Sequence, residues 1–171
     1  MKKIIKTTLL LLLCSAIKVS AQTIYQVPSN YVLKAKTDYP QYEQDVVKTA
    51  DWLLQTPLAE QAGTRQSANK FIMDWVSGSP NVNVTVGKKL LDLTDKNPDF
   101  MFMYFGLFAK YSLEHKDSTM DSNKADMEVL TALINKYKND PAVVKDSDLD
   151  KLAKLYQDGK LENWIAKEFH K

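Results

Sequence analysis

Cysteine is nearly absent from this chain. The 171 residues contain one, Cys14, and it lies in an apolar run close to the start. The rest of the chain therefore has no disulfide, no thiolate metal site and no cysteine nucleophile. Arginine is as scarce: Arg65 is the sole example. Without an arginine cluster for bidentate contacts to phosphates or base edges, nucleic-acid binding is not expected. The only histidines, His115 and His170, are far apart in sequence, so neither a strong transition-metal site nor another cofactor is expected. No phosphate loop occurs, and nothing resembles the G-x-S-x-G nucleophile turn.

What is present begins with a three-part pattern. Lys2, Lys3 and Lys6 form a charged start, and Thr7 to Ile17 is largely apolar around Leu9–Leu13. Val19-Ser20-Ala21 then supplies small or aliphatic residues at the −3 and −1 positions of a cleavage site. This is the pattern of a secretory signal peptide over residues 1–21, and it predicts a periplasmic or extracellular product starting at Gln22. The apolar run falls short of the roughly 20 residues that a membrane-spanning helix needs, so no transmembrane span is expected after cleavage. Leu13 stands before Cys14 where acylation calls for a small residue, so a lipoprotein is not expected. The formal charge of +2 belongs to this segment: without its four lysines, 19 basic residues face 21 acidic ones, a net of −2. About 150 residues remain, enough for one domain with a core.

Residues 22–40 have little helical period, yet Tyr25, Val27, Tyr31, Val32 and Leu33 are too apolar for a solvated tail. They predict an extended arm laid across helices. Residues 41–171 read as a helical domain. Val46, Val47, Ala50, Leu53 and Leu54 form one apolar stripe, and Ala68, Phe71, Ile72, Trp75 and Val76 form a second. Leu90, Leu91 and Thr94 suit a shorter helix. Stripes through Met127–Tyr137, Leu149–Tyr156 and Leu161–Phe169 complete the set. Thr56-Pro57 and Asn97-Pro98 look like helix starts, with an N-cap followed by proline at the first helical position. Gly159 looks like a C-terminal glycine. The expected fold is all-α, a single domain of about six or seven helices in antiparallel hairpins. Residues 98–114 form its central helix, because FMFMYFGLFA at 100–109 has no polar face, and Gly106 allows a close neighbour. At about 15 Å that ten-residue stretch is only half a bilayer core long.

DWVSGSPNVNVTVG, residues 74–87, interrupts the helical pattern. Gly78 and Pro80 end a helix, and Val82, Val84 and Val86 share one face of an extended crossing at 81–86. That face is expected to lie on the bundle, with Asn83 and Thr85 outward. Asp51-Trp52 reaches Pro57 by the same spacing that takes Asp74-Trp75 to Pro80, but no longer repeat is present. Arg65, Ala68, Asn69, Phe71, Trp75, Gly78, Ser79 and Pro80, with the valine-rich crossing and Asn97-Pro98, resemble a group of small exported helical proteins of Bacteroidetes. The resemblance covers roughly residues 45–170. It implies a helical fold and export, and it carries no activity.

Chemistry is thin. His115 is one residue from Glu114 and two from Asp117, so on a helix the trio does not converge. They suit a solvated helix end, and His170 beside the C-terminus is expected to fray. Asp146, Ser147, Asp148 and Asp150 read as an N-cap region before Leu149, since the glycine and glutamate of a calcium loop are missing. Arg65 and Asn69 share a helix face at i and i+4. They could grip a ligand carboxylate, but the plainer expectation is that they satisfy carbonyls of the 77–86 crossing. Asp117-Ser118-Thr119 resembles an O-glycosylation triplet. Three functions follow. The first is an exported helical module that binds another protein or an envelope component, with Arg65, Asn69, Trp75, Ser79, Val82 and Val84 as candidate binding residues. The second is a periplasmic carrier of an apolar small molecule, with the Phe100–Phe108 helix and the tryptophans lining a cavity. A hydrolase using acids alone is the third.

Overall fold

The structure, a computed structural model, describes residues 25–116 and 119–171. The segment read as a signal peptide, Cys14 within it, and two residues of the 117–119 triplet lie outside them. Seven α-helices and no strand are found among the described residues. They are α1 (Glu43–Gln55), α2 (Ala62–Gly78), α3 (Lys88–Thr94), α4 (Asp99–Glu114), α5 (Ser122–Asn139), α6 (Ser147–Gln157) and the short α7 (Leu161–Trp164), which runs on as a π-helical turn, Ile165–Phe169. None is long and apolar enough to cross a membrane.

Burial around most of its circumference makes α4 the centre. Phe100, Met103, Tyr104, Phe105, Leu107, Phe108, Ala109 and Tyr111 are all buried, as its sequence requires. It packs against α1, α2, α3 and α5. At Gly106 α1 packs close, since a Cβ there would lie 3.2 Å from the Cβ of Ala50. The α1 stripe buries Val46, Ala50 and Leu53, and the α2 stripe buries Ala68, Phe71, Ile72 and Trp75. On α3 the inward residues are Leu90, Leu93 and Thr94, while Leu91 is half-exposed to solvent at 51%. The i, i+3, i+4 spacing from Leu90 selects Leu93, not Leu91.

The arm lies across α1 and α2 as expected. Tyr25 stacks on Trp52 with ring centroids 5.3 Å apart, and its hydroxyl pairs with that of Thr49. Tyr31 donates to Asp74 at 2.6 Å and meets Phe71 edge-on. Two 3₁₀ turns, Lys36–Asp38 and Pro40–Tyr42, then lead into α1. Tyr39 fills the space over Gly78, where a Cβ would overlap its hydroxyl. Close approach of this ring, as well as chain reversal, therefore calls for glycine at 78.

Two helix starts fall elsewhere. Thr56 ends α1 in extended geometry, and α2 begins only at Ala62, after Gln61 in left-handed geometry with φ 51°. The reason is tertiary: Arg65 and Lys136 both donate to the Thr56 carbonyl, at 2.9 and 2.7 Å, so Thr56 serves the α1–α2 loop. Asn97 does not cap α4 with its side chain. Its amide instead bonds both ways to the backbone of Val144, at 2.9 and 2.8 Å. Asp146 does cap α6, accepting from the N–H groups of Asp148 and Leu149. Gly159 has φ 67° just after α6, and Lys160 N–H reaches back to Leu155 C=O, a glycine-dependent helix end.

Candidate functional site

Arg65 and Asn69 do share a face of α2, but neither reaches the 77–86 crossing. Arg65 Nη2 donates to the carbonyls of Thr56 and Pro57, both at 2.9 Å, and the guanidinium lies over the Trp52 ring at 5.5 Å. Burial lowers its pKa, opposed by the charges of Asp99 and Asp140. Lys136 and Asp140, paired at 3.0 Å, complete the clasp, and Asp140 accepts from Leu58 N–H at 2.8 Å. These groups hold the α1–α2 loop closed. Asn69 donates to Asp99 at 2.7 Å, at the first turn of α4. Arg65 Nε and Asn69 Oδ1 are buried without a hydrogen-bond partner among the described residues. An open groove of about 590 Å³ runs alongside, with Met73 and Phe102 in its wall.

The other sequence candidates separate. Trp75 is core, its indole N–H donating to the Tyr39 carbonyl at 3.2 Å. Ser79 ends α2, and its hydroxyl accepts from Asn81 N–H. In the crossing, Val82 is buried and Val84 half-buried, with Asn83 and Thr85 outward as expected. Val86 departs from its row and is 49% exposed, because the chain turns there into α3. The helix satisfies nothing on this segment: residues 82–86 make no backbone hydrogen bond among the described residues.

Sequence reasoning missed a buried polar triad. Asp126 on α5 is fully buried, accepting from Tyr104 at 2.5 Å and bonded to His170 Nε2 at 2.7 Å. Burial raises the Asp126 carboxyl pKa, which the two hydrogen bonds and the histidine charge only partly offset. Burial also pushes the Tyr104 hydroxyl up, reinforced by the Asp126 charge. Instead of fraying, the C-terminus is fastened here, with Phe169 buried against the Tyr104 ring. One signal was legible: Asp126 interrupts the apolar face of α5 beside Ala125 and Val129. His115, by contrast, is at the end of α4, bonding through Nδ1 to the Tyr111 carbonyl and stacking on its ring. Among the described residues no group of three or more His, Cys, Asp or Glu side chains could hold a metal ion.

A second groove, of about 480 Å³, runs between α3 and α6. Leu93, Leu152, Leu155 and Trp164 form its apolar floor. Lysines and aspartates form its rim, and each aspartate is already engaged. Lys88 holds Asp92 at 2.7 Å, Lys151 holds Asp148 at 2.9 Å, and Lys154 and Lys160 both approach Asp158. Lys89 differs. It is half-buried in the groove wall, with no ion pair or hydrogen bond among the described residues. Lys110 and Lys136, the other lysines withdrawn from the surface, have Asp51 and Asp140 as partners. Comparison of the chain with family models, curated proteins and solved structures gives no match.

Proposed function

We propose that the protein is an exported helical binding module whose ligand surface is the α3–α6 groove. The observation that carries this reading is the recessed apolar floor, which places a tryptophan and three leucines between two charged helix faces. Ligand sites are typically concave and mostly apolar with a few placed polar groups, over about 300–1,000 Å³. A carrier built around α4 has less support: Phe100, Met103, Tyr104 and Phe108 are closed in by neighbouring helices. None of them lines the two grooves beside α2 and α3. The acids of the α3–α6 rim are each neutralised by lysine, an arrangement that frames a groove more readily than it transfers protons.

Titration with 1-octanol, followed by backbone amide shifts, tests the site. Shifts confined to residues 88–94 and 148–164, and abolished by Leu155→Glu, are expected. Shifts spread along the chain, or none, would refute it.

A second reading has its own observation. The unpaired backbone of residues 82–86 is an edge to which a partner protein's strand could add. Val86→Pro removes one donor at that edge, and it should lower affinity for such a partner without moving the melting temperature.

A further inference from the structure

The α3–α6 groove has a charge as well as a shape. Its three aspartates are neutralised by lysines three or four residues away, or by Lys160. Lys154 and Lys160 share Asp158, so the rim is net positive, and Lys89 is its one lysine with no carboxylate in reach among the described residues. A lysine held at a groove wall loses part of its hydration, and within a protein that loss is ordinarily offset by a carboxylate. Lys110 and Lys136 follow that rule, and Lys89 does not. No carboxylate of the described residues pairs with Lys89, and the groove it lines has a hydrocarbon floor.

We infer that the α3–α6 groove binds a single-chain fatty carboxylate, its alkyl chain on Leu93, Leu152, Leu155 and Trp164 and its carboxylate on Lys89. This rests on the groove being the binding surface. The two contacts divide the work. Burying the chain contributes about 0.8 kcal/mol for each methylene removed from water, and the ammonium selects the headgroup through a charge-assisted hydrogen bond. A free monomeric amphiphile suits the volume, which has room for one chain. A cationic amphiphile of the same length would meet Lys89 with like charge and is selected against.

Octanoate, 1-octanol and octylammonium share one chain length and differ in headgroup charge. Each is titrated into the protein, and into Lys89→Met, with binding read from amide shifts in α3 and α6. Octanoate should bind about five- to tenfold more tightly than octanol, as a partly screened ion pair supplies, and octylammonium should bind least. Lys89→Met should abolish the preference for octanoate over octanol without lowering the melting temperature. Equal affinity for octanoate and octanol, or a preference that survives Lys89→Met, would overturn the fatty-carboxylate assignment and leave the groove standing as a neutral apolar site. Absence of binding by all three would remove the groove itself. Capture by vesicles of phosphatidylglycerol without octanoate binding would also overturn it, since the anion would then be a membrane surface.

Discussion

Gly106 packs tightly against Ala50 of α1, and substitution there tests whether the centre of the fold is packed solid. A Cβ at this position would lie 3.2 Å from the Ala50 Cβ, 3.4 Å from the Ala50 Cα and 3.4 Å from Ile72 Cδ1. The isoleucine methyl can turn aside, but the Ala50 backbone cannot yield unless α1 shifts. For Gly106→Ala, about 1 kcal/mol of helix propensity is set against this tight contact, and the sum should lie near zero. Gly106→Leu adds three more carbons to a fully occupied region. Overpacking against the unyielding Ala50 backbone costs about 2–3 kcal/mol, the upper part of the usual range, and propensity returns about 1, for a net loss of roughly 1–2 kcal/mol. In a domain of this size that lowers the melting temperature by about 2–8 °C. Circular-dichroism melts of wild type, Gly106→Ala, Gly106→Leu and the double variant Ala50→Gly/Gly106→Leu make the comparison. Ala50→Gly alone should cost about 1 kcal/mol of helix propensity, so the relief appears as coupling: with that single variant melted too, the double variant should lose less than the sum of the two singles. A Gly106→Leu protein that melts at or above the wild-type temperature would refute the close α1–α4 contact.

Two buried carboxylates should give opposite pH dependences. Burial raises the pKa of Asp126, so the unfolded chain ionises first. Stability should fall as pH climbs from the ordinary carboxylate range to the raised value, then level off. Asp126→Asn should remove that decline from the urea midpoints; an unchanged pH slope would assign it to another group. For Asp140, burial pushes the carboxyl up, but the N–H groups of Leu58 and Ala142 and the Lys136 ammonium together hold it below its ordinary value. Its contribution is therefore complete above the ordinary range and lost as pH falls through the depressed value. At neutral pH, Asp140→Asn leaves the Lys136 side chain, 7% exposed, without its anion. The expected cost is about 3 kcal/mol or more by denaturant unfolding, and a loss under about 1 kcal/mol would contradict the clasp.

How far the site was legible depends on the range of the interaction. Asp146 was readable as a helix cap because its partners are two and three residues away. Gly159 was readable for the same reason. Thr56 was misread, since Arg65 and Lys136 approach it from α2 and α5. Asn97 was misread because its partner is Val144, 47 residues on. His170 looked free to fray, and only its meeting with Asp126 across 44 residues fastens it. The α3–α6 groove had no sequence signature at all: Lys89 and Trp164 are 75 positions apart and line one groove only after α3, α6 and α7 pack together.

By itself, then, the sequence determined that this domain is helical, which faces turn inward, and that α4 lies at the centre. Apolar side chains recurring with the helical period are local information, and an apolar helix with no polar face has one stable place in water. Only the tertiary structure decided where each polar side chain finds its partner, and which does not find one. A hydrogen bond or ion pair needs two groups within a few ångströms, and the chain brings such groups together from any separation. Lys89 is the clearest case. In the sequence it is one lysine beside another; in the fold Lys88 has Asp92, and Lys89 is left facing the groove.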